Sequence, residues 1–228
     1  IDRESLHEDS AGHAGKIRTG GVQWMCAGRG IIHAEMPIQA DEVEPRGLQL
    51  WVDLPKKYKM VEPSYQELEP ENIPSAFPEG PDGPEIRVIS GKSHGQESPV
   101  RPLGGCWYFH LKFKSKGTVF QAIPPGWTSF IYILKGKIAI GTSPNQHEQF
   151  NTLVLSAVEG ESGVQVTAEE DNTECVLVAG EPLDQEVVQY GPFVMNSREE
   201  IQKTFIDYRM GMNGFEKAHS WKSKIGGL

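Results

Sequence analysis

Gly20-Gly21-Val22-Gln23-Trp24-Met25-Cys26-Ala27-Gly28-Arg29-Gly30-Ile31-Ile32-His33-Ala34-Glu35-Met36-Pro37 is the stretch on which the reading of this 228-residue chain turns. Val22 to Cys26 follows two glycines and is rich in large apolar residues, which reads as a short strand. Gly28-Arg29-Gly30 is a turn, and Ile31 to Met36 forms the next strand. On such a strand Ile31, His33 and Glu35 project to one side. Inside a small barrel this sets an imidazole and a carboxylate side by side among apolar walls. A buried carboxylate is costly unless it is paired or bound to a cation. Imidazole with carboxylate is the ligand chemistry of non-haem iron, and it also suits manganese, nickel or copper. A His and a Glu two apart also occur on strands that face solvent, so the pair alone does not establish a site.

Outward from this stretch, most of the chain reads as short strands between turns. Gly47 to Leu54 alternates, with Leu48, Leu50, Val52 and Leu54 on one face and Gln49, Trp51 and Asp53 on the other, which predicts a strand. From Glu62 to Pro84, prolines at 63, 70, 74, 78, 81 and 84 interrupt regular structure and predict a domain boundary. The division expected is residues 1–72 and residues 73–228. Beyond it, Ile86–Ser90, Cys106–Phe113, Thr118–Ile123, Ser129–Leu134, Lys137–Gly141, Thr152–Leu155, Gly163–Thr167 and Glu174–Ala179 read as strands at sandwich or barrel spacing. Ser197-Arg198-Glu199-Glu200 is a capping box that opens a helix, with Ile201, Thr204, Phe205 and Tyr208 on its apolar face and Gly211 at its stop.

The bulk properties exclude several classes. No apolar run is long enough to cross a bilayer as a helix, so no membrane partner is expected. The net charge of −9 disfavours direct nucleic-acid binding, which depends on neutralising phosphates. Cys26, Cys106 and Cys175 are far apart and sit among apolar residues, which predicts buried free thiols in a reducing compartment. The chain opens at Ile1 without a methionine, and its first residues read as the middle of a fold. A fragment, a processed form or a truncated gene model is expected.

The run from Gln23 to Pro37 resembles the signature of the pirin family, and Gly28-Arg29-Gly30-Ile31-Ile32-His33 has the form of the second cupin motif with glycine in place of its proline. Gly47-Leu48-Gln49-Leu50-Trp51-Val52, Lys59-Met60-Val61-Glu62-Pro63, Gly191-Pro192-Phe193-Val194-Met195-Asn196, Asn213-Gly214-Phe215-Glu216 and Trp221-Lys222-Ser223 match in the same way. The resemblance spans nearly the whole chain. It implies an all-β protein of two cupin-type antiparallel β-barrels (a bicupin), the first incomplete, with a short C-terminal helix. The N-terminal barrel falls in 1–72 and a metal-free C-terminal barrel with the helix in 73–228.

The family's metal, usually iron, sits in the N-terminal barrel on three histidines and one glutamate. By motif, His33 and Glu35 are two of these. The other two lie in a His-Pro-His segment that precedes residue 1 in relatives, and this sequence contains no His-x-His. Two ligands hold a transition metal poorly, so the metal is expected to be absent unless others complete the set. His7 and His13 map to an outer strand and loop, where rescue is not expected. In the second barrel the usual ligand places hold Ile123, Pro125 and Ser129, none a good ligand. His110 and His147 read as ordinary barrel or surface residues, His94 and His219 as exposed.

Three functions follow from the resemblance and stay open. One is quercetin 2,3-dioxygenase-type cleavage of a flavonol, with Glu35 as the catalytic proton acceptor and Gln23, Met25 and Trp51 as candidate pocket walls. The second is a non-enzymatic, iron-dependent transcription co-regulator that binds a transcription-factor protein. The third is an inactive truncated form. The expected setting is nucleus and cytoplasm.

Overall fold

The computed structural model describes residues 4–38 and 45–225, and it divides into two compact units. The first comprises residues 1–72 and 183–228, the second residues 73–182.

The first unit begins with β1 (Ser5–Asp9), β2 (Ala14–Ile17), β3 (Val22–Cys26), β4 (His33–Pro37) and β5 (Ser64–Leu68). β1 lies at the centre of a three-stranded sheet with β2 and β4 on its two sides, while β3 pairs with β5. All these pairings are antiparallel. The strand read as Ile31 to Met36 begins two residues later, at His33. The turn before it requires glycine at both ends. Gly28 has φ of 51°, and an added Cβ would lie 2.1 Å from the Val61 carbonyl oxygen. Gly30 has φ of 137°, and its Cβ would enter the Phe215 ring.

The second unit is a barrel-type sandwich. Its strands are β6 (Ser75–Ala76), β7 (Glu85–Ser90), β8 (Lys92–Ser93), β9 (Gln96–Glu97), β10 (Cys106–Phe113), β11 (Gly117–Ala122) and β12 (Thr128–Lys135). β13 (Lys137–Ile140), β14 (Gln146–Glu148), β15 (Thr152–Leu155), β16 (Gly163–Ala168) and β17 (Thr173–Gly180) complete it. One sheet runs β15-β12-β17-β10-β7-β6 and the other β11-β16-β13-β14. Alternation along β7 puts Ile86 and Val88 inward, and Phe109, Leu111, Phe113, Ile131, Ile133, Ile138, Val166 and Leu177 meet them in a dry core. Cys106 and Cys175 are buried there, and burial pushes their thiols up to about 11 and about 12. Cys26, in the first unit, is half-buried, and all three are free thiols.

Residues 183–228 contribute β18 (Val188–Tyr190), β19 (Phe193–Met195) and helix α1 (Arg198–Met210). They group with the first unit, not with the second where the sequence reading put them. The reason is specific contact. Gln185 Nε2 donates to Asp53 Oδ2 at 2.9 Å and its Oε1 accepts from the Lys56 amide at 2.9 Å. The helix starts as its sequence dictates, with Ser197 Oγ accepting from the Glu200 amide at 3.1 Å. The Glu200 carboxylate accepts from the Asn196 amide, one residue earlier than a standard capping box. Gly211 closes the helix in the left-handed region. Phe205 and Tyr208 pack edge-on against Phe193 and Phe215, so the apolar stripe of the helix is an aromatic cluster.

Two sequence expectations fail locally. Gly47–Leu54 is not a strand, and among the described residues it has no ladder partner, so its alternation does not close a sheet. Side chains anchor the segment instead: Lys59, 5% exposed, donates to Asp53. The proline-rich stretch is also not devoid of structure, because β5 fits between Pro63 and Pro70, where no proline removes a donor. Among the described residues, no helix is long and apolar enough to cross a membrane.

Candidate metal centre

β4 carries His33 and Glu35 on one face, as their spacing requires, with His33 Nδ1 3.9 Å from Glu35 Oε1. Their side chains are 31% and 41% exposed, so the pair is open to solvent and to ligands. β1 completes this face. His7 lies directly opposite Glu35 and Asp9 directly opposite His33, and directly paired residues share a side of the sheet. Gly15, opposite His7 on β2, leaves room for the imidazole: an added Cβ would lie 2.5 Å from His7 Nε2.

His7 is 5% exposed and is held by the β3–β5 pair. Gln23 Nε2 lies 3.0 Å from His7 Nδ1 and donates to Glu67 Oε1 at 2.8 Å. Gln23 and Glu67 are themselves direct partners in the β3–β5 register, so one amide braces an imidazole and a carboxylate across two sheets. The Gln23 amide donates to the imidazole at Nδ1, which leaves the proton on Nε2 beside Glu67. His7 Nε2 is buried 3.1 Å from Glu67 Oε1, and the Tyr65 hydroxyl is buried beside Asp9.

Asp9 is more fully satisfied. Its Oδ1 accepts from the amides of Ala11, Gly12 and His13 at 2.8, 2.8 and 2.9 Å, and its Oδ2 lies 2.9 Å from His13 Nδ1. Burial pushes the Asp9 carboxyl up, but the Tyr65 hydroxyl, His13 and the turn amides outweigh it and hold the group below its ordinary value. Burial, and then Asp9, raise the Tyr65 phenol well above its ordinary value. The His13 ring tilts over Tyr65 with centroids 4.8 Å apart.

This places each residue that the sequence singled out. Gln23 belongs to the polar network that backs the candidate ligands. Met25 follows on the same face of β3, half-buried and opposite Tyr65. Trp51 is 60% exposed on a segment without strand pairing, which does not suit a pocket wall. His7 is on an interior face and not an outer one. The sequence reading missed Asp9, Tyr65 and Glu67 altogether. The signal was there in the two-residue spacing of His7 with Asp9 and of Tyr65 with Glu67, which gives each strand one polar face.

His33 and Glu35 fit a transition metal in donor type, and their separation lets both reach one ion with modest adjustment of the side chains. They supply half of a usual ligand set. Among the described residues no group of three or more His, Cys, Asp or Glu has metal-binding geometry. In the second unit the ligand places hold Ile123 in the core, exposed Pro125 and half-buried Ser129. His110 there lies 2.9 Å from Glu174 across the β10–β17 pair. His147 is half-buried on β14, and His94 and His219 are exposed.

Residues 2–52 match the family described as Pirin, and residues 108–214 match the Pirin C-terminal cupin domain. Human Pirin is 47% identical over 96% of this chain and 74% of its own length, and a tomato (Solanum lycopersicum) Pirin-like protein is 43% identical over 96% and 73%. Among solved structures, a quercetin 2,3-dioxygenase from Acinetobacter baumannii superposes with a TM-score of 0.81 at 29% identity, covering 92% of this chain and 73% of that one. A second, GK1651 from Geobacillus kaustophilus, gives 0.72 at 33% identity over 82% and 74%. With a polar first-barrel face carrying the motif's His and Glu, and relatives of this identity along almost its full span, the chain belongs to the pirin family of the cupin superfamily.

Proposed function

We propose that the first unit is half of a flavonol dioxygenase centre of the quercetinase type, completed by two further ligands from outside the described residues. The observation that carries this reading is the His33–Glu35 pair, 3.9 Å apart on one face of β4 and directly opposite a buried His7 and Asp9. His7 and Asp9, 5% and 3% exposed, are polar groups that burial makes costly unless they are satisfied or used. The likeness to a quercetin 2,3-dioxygenase supports the substrate class.

A transition-metal ion, by family resemblance iron, would be held by His33 and Glu35 and would supply a Lewis-acidic, redox-active centre for flavonol and dioxygen. The chain's own residues do the rest. Glu35, the more exposed of the pair, has a second carboxylate oxygen to accept the proton of a flavonol hydroxyl. Gln23, Glu67 and His7 fix β1 against the β3–β5 pair, so the strand that backs β4 cannot shift. Asp9 pins the turn after β1, and the Ser10 amide donates to the Ile32 carbonyl at 2.8 Å, which fixes the approach to His33.

The test is metal content by elemental analysis followed by oxygen uptake with quercetin, on the chain as expressed and on a longer form that includes a His-Pro-His segment. Stoichiometric metal with turnover in the longer form supports the proposal. Bound iron without turnover in either form favours a metal-dependent protein-binding role. Absence of metal from both forms overturns the assignment of His33 and Glu35.

A further inference from the structure

Asn213-Gly214 is the one Asn-Gly pair in this chain, and the proposed reaction does not use it. It lies just past α1, with Asn213 exposed and Gly214 half-buried. Asn213 Nδ2 donates to Asp207 Oδ1 at 2.9 Å, and Asp207 is 6% exposed. The Gly214 amide donates to both oxygens of the Glu216 carboxylate at 3.2 Å. Packing requires glycine at 214. Its φ is 112°, and an added Cβ would lie 2.9 Å from Arg29 Cγ and 3.0 Å from the Arg29 carbonyl oxygen. The same missing side chain leaves the amide nitrogen unhindered as a nucleophile toward Cγ of the preceding asparagine, a thermolabile residue.

In that attack the Gly214 nitrogen bonds to Asn213 Cγ, the Cγ–Nδ2 bond breaks, and ammonia leaves. Glu216 takes the Gly214 amide proton and returns it to the departing nitrogen. Water then opens the cyclic imide at either carbonyl carbon and leaves aspartate or isoaspartate. Either product puts a carboxylate where Asn213 donated, beside the buried Asp207, so an attraction becomes a repulsion between like charges. Isoaspartate also lengthens the backbone by one methylene just before Phe215. That ring is 4% exposed, packs on Phe193 and Tyr208, and covers Gly30, whose added Cβ would lie 2.5 Å from it. Residues 213–215 therefore brace the turn that leads to His33.

We infer that Asn213-Gly214 is a self-modifying site, at which Glu216 assists loss of the side-chain ammonia and the product loosens the Gly28–Gly30 turn, lowering the metal affinity of the first unit. The consequence for the metal rests on the reading of His33 as a ligand. The Asp207 hydrogen bond restrains the amide, so conversion is slower here than in an unfolded segment of the same sequence.

The test ages the folded protein in warm, mildly alkaline buffer and follows the six asparagines of this chain by peptide mass spectrometry. Asn213 should convert first, with isoaspartate among its products. Glu216→Gln should slow the conversion several-fold, and Asn213→Gln should abolish it at this position. Asn213→Asp, which carries the charge without the longer backbone, should lower the folding equilibrium constant about tenfold, the loss of a hydrogen bond to a charged group. In the longer form with its His-Pro-His segment, modified protein should lose metal to a chelator sooner than fresh protein, and Asn213→Gln should not age in this way. Another asparagine converting first, an unchanged rate in Glu216→Gln, or Asn213→Asp as stable as the parent would each overturn the proposal. Equal metal affinity in fresh and fully modified protein would overturn the link to the turn. A fresh longer form without metal would overturn the reading of His33 instead, while mass and unfolding still report on the modification.

Discussion

The two units of this chain solve the same architectural problem with opposite interiors. The second unit fills its sandwich with Phe109, Leu111, Phe113, Ile131, Ile133 and Leu177, all 1% exposed or less. Its largest fully buried polar side chain, Gln121, is satisfied by Ser93 Oγ at 2.7 Å and the Ala122 carbonyl at 2.8 Å. The first unit presents His7, Asp9, His33 and Glu35 on one face of a sheet, and meets the buried His7 and Asp9 with Gln23, Glu67 and Tyr65 from another. An apolar interior is held by area removed from water and tolerates no cavity. A polar interior is held by matched donors and acceptors, and it is costly to leave half-satisfied. The lesson is that the unit with the smaller apolar core is the one whose fold is held by matched polar side chains.

The sharpest way to break this contrast is in the apolar unit. Phe109→Ala should destabilise the protein by about 3–5 kcal/mol, read by urea unfolding, with no change in the metal content of a fully liganded form. Next, His33→Ala should lower metal affinity by about 100-fold or more, measured by chelator competition, while the unfolding midpoint stays within about 0.5 kcal/mol of the parent. A large loss of stability here would show that His33 is structural. Third, Gln23→Leu removes the donor shared by His7 and Glu67 and should cost about 1–3 kcal/mol. Its equilibrium unfolding would then report directly on the polar interior.

The smallest effect is a pH dependence with a different window for each unit. Burial holds the His110 imidazole below its ordinary value of 6.5, against the opposing hydrogen bond that its Nε2 donates to Glu174. The folded state therefore binds fewer protons than the unfolded chain as pH falls through that value, and stability declines on the acid side of it. Asp9 is held below its ordinary value of 3.8, so its contribution is intact above that value and is lost as pH falls through its folded value. Unfolding midpoints from about pH 7 to about pH 5 should fall less in His110→Gln than in the parent. Identical slopes would remove His110 from the account.

How much of this was legible in the sequence depended on whether local pattern and local contact coincide. Cys106–Phe113 and Thr152–Leu155 were read with their observed limits, because alternation and flanking turn residues act on the same short span. The helix was legible from Ser197 to Gly211 for the same reason. The His33–Glu35 pair was legible because two-residue spacing fixes the face of a strand. Trp51 was misread because alternation specifies a strand only if a neighbour accepts its ladder, and no described strand does. Asp9 and Tyr65 went unread because two-residue spacing marks a polar face on each strand but not which faces meet, and these two meet only through the packing of two sheets. The return of residues 183–228 rests on Gln185 reaching Asp53 and Leu54, a contact that no local pattern encodes.

That return has a consequence for biosynthesis. The second unit is one uninterrupted run of chain, 73–182, whereas the first is assembled from pieces more than a hundred residues apart. On the ribosome, where domains fold as units once they have emerged, the apolar unit is free to close early. The polar unit must wait for the chain that forms α1, with β1 to β5 made but uncovered in the meantime. Glu8 of β1 accepts from the Ile225 amide at 3.1 Å, a contact that cannot form until both pieces of the first unit have been made.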